Sequence, residues 1–256
     1  MKSNLFNLDG KVAVVTGGSK GLGKAMARGL AECGADVMIN ARNEEELKAA
    51  AAEIGDGLDG KVEWRVTDML NRQGVDDFAA DTLETMGKVD ILINNAGTNH
   101  PQPIDEITDE DWDRVTELNL TSIMRLTRAF VPGMKERKWG RVIHISSVLG
   151  VGSKEARNVY SATKAGLIGL AKASALDLGP FGITVNCIAP GPFLTDLPLS
   201  LLNEEQQAQF AKVTALDRWG NPPELAGPAI MLASDAGSYI TGETLLVDGG
   251  AFARAL

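Results

Sequence analysis

The sequence predicts an α/β fold, a single doubly wound domain in which helices cover both faces of a seven-stranded parallel sheet. Short apolar runs rich in β-branched residues alternate about seven times with segments whose apolar residues recur at helical spacing. No linker, repeat or low-complexity segment interrupts this alternation, so residues 1–256 are predicted to form one domain. The ligand crevice of a doubly wound sheet lies at the carboxyl ends of its strands.

The predicted strands are short and largely apolar, which is typical of strands buried on both faces. The first strand, KVAVVT, runs into glycines, and the last one, TLLV, is followed by Asp248 and two more glycines. In chain order the predicted strands cover residues 11–16, 36–40, 61–67, 89–94, 141–146, 183–188 and 244–247.

Helical periodicity fills the intervals between these strands. The first such segment is closed by Gly34, and the long stretch at 109–134 is expected to be interrupted or bent near Asn119. The segment at 199–212 is amphipathic and isolated. In chain order the predicted helices cover residues 21–33, 44–54, 75–86, 109–134, 158–178, 199–212 and 223–234.

Composition excludes several classes of function. The formal net charge of −9 and the absence of a basic run argue against nucleic-acid binding. Cys33 and Cys187 form no CxxC pair, and His100 and His144 supply no zinc constellation, so no metal site is predicted. The first ten residues lack the apolar core of a signal peptide, and no apolar run approaches the ~18 residues that span a bilayer. We therefore expect a cytoplasmic protein without membrane partners.

A glycine-rich stretch, TGGSKGLG, joins the first strand to the first helix. Gly17, Gly21 and Gly23 allow the backbone to turn tightly and approach a phosphate, while the helix N-terminus supplies N–H donors and a positive dipole. The spacing G-x-x-x-G-x-G differs from the G-x-G-x-x-G of many dinucleotide sites. Its place between the first strand and the first helix predicts a dinucleotide site in a Rossmann-type domain.

The end of the second strand indicates which dinucleotide is bound. A carboxylate there accepts a hydrogen bond from the ribose 2′-hydroxyl of NAD, whereas an arginine accommodates the 2′-phosphate of NADP. The chain has Asn40, Arg42 and Asn43 at this place, and Lys20 in the glycine loop adds a second cation. These residues favour NADP(H), with NAD(H) still possible.

Tyr160 and Lys164 stand four residues apart on a predicted helix, and therefore share one face of it. A neighbouring cation favours the phenolate, so Lys164 is expected to lower the tyrosine pKa from its ordinary value of about 10. Ser147, thirteen residues before Tyr160, could hold a substrate oxygen while Tyr160 gives or takes its proton. Taken alone, such a pair is usually part of an exposed helix face, so its meaning depends on the other motifs.

Taken together, these motifs resemble the single-domain short-chain dehydrogenase/reductases, and the resemblance covers essentially the whole chain. After TGGSKGLG come NNAG at 94–97, ELNL around Asn119, ISS around Ser147 and YSATK at 160–164, in the order of that family. The resemblance implies four catalytic residues, Asn119, Ser147, Tyr160 and Lys164. With the cations above, it implies cofactor contacts from Gly17, Ser19, Lys20, Gly21, Leu22, Gly23, Arg42, Asn43, Asp68, Met69, Asn95, Ala96, Gly97, Tyr160, Lys164, Pro190, Gly191, Phe193 and Thr195.

The resemblance also implies a role for each catalytic residue. Tyr160 is expected to be the general acid for ketone reduction and the general base for alcohol oxidation. Lys164 is expected to lower the pKa of Tyr160 and to bind the nicotinamide ribose, and Ser147 to position the substrate oxygen. Asn119 is expected to hold a water that links Lys164 to solvent.

Substrate choice is expected to depend on three variable pieces at residues 98–104, 148–153 and 193–216. The last of these is amphipathic and could be a lid over the substrate or an oligomer contact. The resemblance further suggests a homotetramer, or dimer of dimers, built from the long helices after the fourth and fifth strands and from the tail.

Two subclasses compete for the activity. The opening LFNLDGKVAVVTGGSKGLG looks like the gluconate 5-dehydrogenases, whereas YSATKAGLIGLAKASALDLGPFGITVNCIAPG looks equally like 3-oxoacyl-[acyl-carrier-protein] reductases. That second group docks an acidic carrier through basic residues at two places; Lys138 keeps the first cation, but Phe181 occupies the second place. A non-catalytic dinucleotide sensor is a further alternative, which the presence of Tyr160, Lys164 and Ser147 disfavours.

Overall fold

Seven strands form one parallel sheet in the computed structural model, which describes residues 4–195 and 203–253. They are β1 Val12–Thr16, β2 Asp36–Ala41, β3 Val62–Val66, β4 Ile91–Asn94, β5 Gly140–Ile145, β6 Ile183–Pro190 and β7 Thr244–Val247. Their spatial order is β3-β2-β1-β4-β5-β6-β7, so the strand order reverses between β1 and β4. A ligand crevice is expected at this reversal, beyond the carboxyl ends of the two strands.

The helices lie on both faces of the sheet. They are α1 Gly21–Glu32, α2 Glu44–Gly55, α3 Arg72–Met86, α4 Asp109–Thr116, α5 Ser122–Arg137, α6 Val148–Val151, α7 Asn158–Leu178, α8 Glu204–Val213 and α9 Ala226–Ala233. A π-helical turn, Glu117–Thr121, joins α4 to α5, which confirms the predicted interruption near Asn119.

The core has two halves because successive residues of a strand point to opposite faces. Ala13 and Val15 of β1 lie in the half that α1, α2 and α9 cover, whereas Val14 lies in the half covered by α3, α5 and α7. The strands are buried on both sides, as their apolar sequences predict. The predicted doubly wound architecture is therefore confirmed.

Most predicted boundaries shift by a few residues. β4 begins at Ile91, although the backbone of Asp90 already bonds to both neighbouring strands: its amide donates to the Val12 carbonyl at 2.9 Å, and its carbonyl accepts from the Arg141 amide at 3.0 Å. α3 begins earlier than predicted because Asn71 caps it, accepting a hydrogen bond from the Gly74 amide at 3.1 Å.

Two differences are larger. The predicted helix at 223–234 is split into a 3₁₀ turn, Pro222–Leu225, followed by α9. The predicted segment at 199–212 is seen as α8, which begins at Glu204; residues 196–202 lie outside the described residues. No helix in the described part of the chain is both long and apolar enough to cross a bilayer.

Candidate active site

The glycine-rich loop lies at the carboxyl edge of the sheet, between β1 and α1. Gly17 and Gly21 have φ angles of 65° and 55°, in the left-handed region that favours glycine. The first turn of α1, all of which the structure describes, contains no acidic residue. The positive end of the helix dipole is therefore available to an anion such as a phosphate.

Gly23 fits this loop because it has no side chain. An ideal Cβ at this position would lie 2.2 Å from the carbonyl oxygen of Gly17 and 2.6 Å from Nδ2 of Asn95. The same Asn95 amide donates to the carbonyl oxygens of Thr16 at 2.8 Å and Gly17 at 3.2 Å. The close packing of α1 on the loop thus fixes the shape of the turn.

Partly or wholly buried hydrogen bonds tie the loop to the neighbouring strands. The hydroxyl of Thr16 accepts from the amides of Asn95 and Ala96, both at 2.9 Å. Asn40 accepts from the Gly17 amide at 3.1 Å through its side chain, and its Nδ2 donates to Sδ of Met69 at 3.0 Å. Asn40 and Met69 are both buried, so they support the loop from beneath.

Three further predicted cofactor residues lie exposed where β2 and β3 end. Asn43 caps α2 by accepting from the Glu46 amide at 3.1 Å, and Asp68 accepts from the Leu70 amide at 3.0 Å. Arg42 extends into solvent beside them. Among the side chains of residues 40–43, the guanidinium of Arg42 is thus the one charged group, and there is no carboxylate.

Asn119 lies buried within the π-helical turn. Its Oδ1 accepts from the Thr98 amide at 2.8 Å, and its Nδ2 donates to the Thr98 carbonyl at 2.8 Å and the Thr163 hydroxyl at 3.2 Å. π-Helical turns inside α-helices are rare and often lie at functional sites. Here the turn places an asparagine between the loop after β4 and the helix α7.

Gly97 marks the point where three distant motifs meet. An ideal Cβ at Gly97 would lie 3.2 Å from Oδ1 of Asn119 and 3.4 Å from Nζ of Lys164. NNAG, the π-helical turn and YSATK are therefore in contact although they are far apart in the sequence.

Ser147 and Tyr160 reach the same edge from β5 and α7. Ser147 caps the short helix α6, its hydroxyl accepting from the Leu149 amide at 3.1 Å. An ideal Cβ at Gly150 would lie 2.8 Å from the backbone carbon of Lys164, so α6 packs closely on the catalytic turn of α7. The sequence predicts this piece as variable loop, and the helix within it is apparent only in the structure.

The pKa of Tyr160 differs from the sequence-based prediction. Burial raises the pKa of the phenol above its ordinary value, while hydrogen bonding from Ser147 and the positive charge of Arg157 act in the opposite direction. The Lys164 ammonium lies 5.6 Å from the centroid of the phenol ring and donates to the Ile145 carbonyl at 2.7 Å. The prediction of a lowered tyrosine pKa is therefore wrong for this arrangement, because desolvation outweighs the Ser147 hydrogen bond and the charge of Arg157.

Lys164 and His144 form a buried polar group beneath the site. Burial lowers the pKa of Lys164 to about 8, and burial with the charge of Lys164 lowers the pKa of His144 to about 4. Nδ1 of His144 lies 3.1 Å from Nδ2 of Asn94, while its Nε2 has no partner among the described residues. His144 is therefore neutral near pH 7, and Lys164 is close to its titration range.

We expect His144 to make the protein less stable in mild acid. The unfolded chain binds a proton at this histidine near the ordinary pKa of 6.5, whereas the folded protein binds it only near pH 4, so the unfolded state holds more protons in between. The contribution is fully present above pH 6.5 and is lost as the pH falls towards 4, with an upper limit of about 3 kcal/mol. Urea unfolding of wild type and His144→Asn across this range checks it, and the variant should show the flatter dependence. Parallel curves would contradict the prediction.

The segment after β6 returns to the glycine loop. Pro190 ends β6, and the Gly191 amide donates to the Val247 carbonyl at 2.9 Å. An ideal Cβ at Gly21 would lie 3.2 Å from Cγ2 of Thr195, so Thr195 stands directly beside the loop. Phe193 is buried, unlike its neighbours, and packs against Gly220.

The described part of the predicted lid packs on the body of the protein. The ring centroids of Phe210, in α8, and Trp219 lie 5.7 Å apart. The ammonium of Lys154 lies 4.8 Å from the centroid of the Phe210 ring. Indole Nε1 of Trp219 donates to the Gln207 carbonyl at 2.8 Å. Leu197, Leu199, Leu201 and Leu202, which make the segment amphipathic, lie outside the described residues.

The structure adds Arg157 to the residues around the candidate site, and the sequence carries no local signal for it. Arg157 immediately precedes α7 and forms a backbone bridge with Gln102 in the loop after β4. The Gln102 amide donates to the Ala156 carbonyl at 3.0 Å, and Nδ2 of Asn158 donates to the Gln102 carbonyl at 3.1 Å. The bridge joins two segments distant in sequence, so it is a tertiary feature.

Across residues 4–195 and 203–253, no three or more His, Cys, Asp or Glu side chains form a metal-binding group.

Known proteins resemble this chain over nearly its full length. Residues 11–206 match the family model described as short chain dehydrogenase. The 3-oxoacyl-[acyl-carrier-protein] reductase of Vibrio cholerae is 40% identical over 247 residues, 96% of this chain and 99% of the relative. Gluconate 5-dehydrogenase of Gluconobacter oxydans is 37% identical over 249 residues, 96% of each chain. The crystal structure of a gluconate 5-dehydrogenase from Burkholderia cenocepacia, in complex with NADP and tartrate, superimposes with a TM-score of 0.92 at 35% identity, over 98% of this chain and 99% of that one.

Proposed function

This chain belongs to the short-chain dehydrogenase/reductase family, and on that premise we propose that it interconverts a ketone and a secondary alcohol with NADP(H). It is an oxidoreductase that acts on CH–OH or carbonyl groups with NAD(P). The proposed substrate is a keto sugar acid, a polyol or another small ketone. We also propose that residues 1–256 form a single domain.

The observation that carries this proposal is the meeting of four side chains at the carboxyl edge of the sheet. Asn119, Ser147, Tyr160 and Lys164 come from a π-helical turn, the end of β5 and one face of α7. Gly97 lies within contact distance of two of them. A proton donor, an oxygen-binding hydroxyl and a buried cation beside a dinucleotide loop suit carbonyl reduction.

Each residue has a proposed task in reduction. Tyr160 donates its phenolic proton to the carbonyl oxygen, and the raised pKa of Tyr160 keeps that proton in place at neutral pH. Ser147 hydrogen-bonds the same oxygen. NADPH bound here would supply the hydride for the carbonyl carbon, and the product would be a secondary alcohol. Tyr160 takes the proton back in the reverse direction.

Lys164 and Asn119 are proposed to support proton traffic. Lys164, whose pKa is lowered to about 8, holds the nicotinamide ribose and can pass a proton near neutral pH. Asn119, fixed by three hydrogen bonds, keeps the turn in position for a water that leads to solvent.

The cofactor is proposed to be NADP(H) because Arg42 is exposed where β2 ends and no carboxylate competes for the ribose at positions 40–43. The relative from Burkholderia cenocepacia, whose structure contains NADP, supports the same choice. NAD(H) remains the alternative.

Arg42→Asp is expected to reverse the cofactor preference. The change removes a charge-assisted contact to the 2′-phosphate and offers a carboxylate to the 2′-hydroxyl, so the Kd for NADPH should rise on the order of 10- to 100-fold while that for NADH stays level or falls. Nucleotide fluorescence titration measures both constants. Arg128→Asp, the same charge change at an exposed position of α5, serves as the control. Equal NADH and NADPH binding by the wild type would contradict the assignment.

The competing substrate class is a 3-oxoacyl group on an acyl carrier protein, which the relative from Vibrio cholerae favours. Phe181 disfavours it here: the ring is exposed at a place where a cation is expected, and Lys135 covers it at 4.6 Å. Oxidation of NADPH with a 5-keto sugar acid and with a 3-oxoacyl thioester tests the choice. Faster turnover of the thioester would reject the sugar-acid assignment, and binding of NADPH without turnover of either would favour a sensor.

We also propose that the protein assembles as a homo-oligomer in the cytoplasm. Apolar side chains that are exposed on α7 and near β7, namely Leu176, Tyr239 and Leu246, support a homo-oligomer such as a homotetramer. A cytoplasmic location remains the expectation from the sequence.

A further inference from the structure

We infer that Arg157 recognises a carboxylate on the substrate, so that the ketone on which this enzyme acts is an anionic acid. This inference rests on the proposed function, because it concerns the substrate of the same site.

Arg157 differs from the other arginines of the described chain. Eight of those arginines pair with a carboxylate, and two are exposed to solvent. The paired ones are Arg28, Arg65, Arg72, Arg114, Arg125, Arg137, Arg141 and Arg218, and the exposed ones are Arg42 and Arg128. Arg157 is half-buried and makes one long hydrogen bond, to the Ala156 carbonyl at 3.4 Å. Most of the five N–H donors of its guanidinium are therefore unused within the described chain.

The position of Arg157 points to the substrate. It lies one helical turn before Tyr160, and its backbone bridges Gln102, so it stands where the loop after β4 meets the start of α7. The residues that carry the proton donor and the guanidinium thus stand three positions apart at the start of α7. The positive charge of Arg157 acts to lower the pKa of Tyr160, against the larger effect of burial, which agrees with this proximity.

A half-buried cation without a counter-ion is costly, and burial lowers the pKa of this guanidinium accordingly. An anionic ligand would remove the cost. A single guanidinium matches a single carboxylate in charge and in its two-point geometry. A phosphorylated ketone carries more charge than one arginine balances, so the carboxylate is the better match.

The kinetic test uses one ketone in two forms, 5-ketogluconate and its primary amide, with NADPH. Arg157→Gln should lower kcat/KM for the acid on the order of 10- to 100-fold, chiefly through KM, and change that for the amide less than about 3-fold. Arg157→Lys should recover part of the loss, and Arg128→Gln should change neither. Equal losses of kcat/KM for the acid and the amide would show a structural role for Arg157 and overturn the inference. The inference would also be overturned if the enzyme preferred a phosphorylated ketose over the acid and if Arg157→Gln lowered kcat/KM equally for both.

A binding measurement separates this inference from the proposed function. The Kd values of gluconate and tartrate are measured calorimetrically on the NADP⁺-loaded wild type and on Arg157→Gln, with unfolding curves to verify the fold. If the ketone is not reduced but Arg157→Gln weakens carboxylate binding on the order of tenfold or more, the proposed substrate fails and the inference holds. If neither anion binds, or if both proteins bind equally, the inference is wrong.

Discussion

Tyr160→Phe is expected to lower kcat by a factor of about 10²–10⁴ while leaving NADPH binding and the free energy of unfolding nearly unchanged. The substitution removes one hydroxyl from a half-buried ring on α7 and keeps the aromatic packing. The loss follows because the carbonyl oxygen then has no general acid, since Ser147 can only hydrogen-bond it and Lys164 donates to the Ile145 carbonyl.

The chain supplies a matched control for this experiment. Its second tyrosine, Tyr239, is fully exposed in the turn before β7, so Tyr239→Phe should keep wild-type kinetics. Steady-state turnover of the best ketone of the panel, together with NADPH titration, distinguishes lost chemistry from lost binding. Retention of more than about a tenth of kcat by Tyr160→Phe would remove Tyr160 from the acid role.

Gly23→Ala is expected to abolish measurable cofactor binding and to destabilise the fold by on the order of 1–3 kcal/mol. The new Cβ would lie 2.2 Å from the Gly17 carbonyl oxygen and 2.6 Å from Nδ2 of Asn95, and both neighbours are held by partly buried hydrogen bonds. The start of α1 would have to move away from the loop. Such a shift distorts the turn that is expected to receive the pyrophosphate.

Gly169→Ala provides the comparison, because Gly169 is also helical and an ideal Cβ there meets nothing within 4 Å. This variant should be neutral or more stable by roughly 0.5–1 kcal/mol, since alanine favours a helix over glycine. Urea unfolding and NADPH titration of the two variants test the pair. Equal NADPH binding by Gly23→Ala and wild type would contradict the assigned role of the close contact.

The sequence anticipated the strands of the sheet because each is an apolar run buried on both faces, a signal that is local. The bounds of α7 and β7 were predicted to the residue, and the bend near Asn119 is the π-helical turn. The start of α3 was predicted less well, because it depends on a single cap at Asn71.

The sequence by itself determined the fold class and the residues of the candidate site, since motif order and strand–helix alternation are properties of the chain. The tertiary structure decided what the neighbours do to those residues. Desolvation raises the pKa of Tyr160 although two cations are near, and burial lowers the pKa of Lys164 to about 8. The bridge between Arg157 and Gln102 likewise joins segments that no sequence spacing connects. Burial and long-range contact depend on the packing of the whole chain, so only the folded protein reveals them.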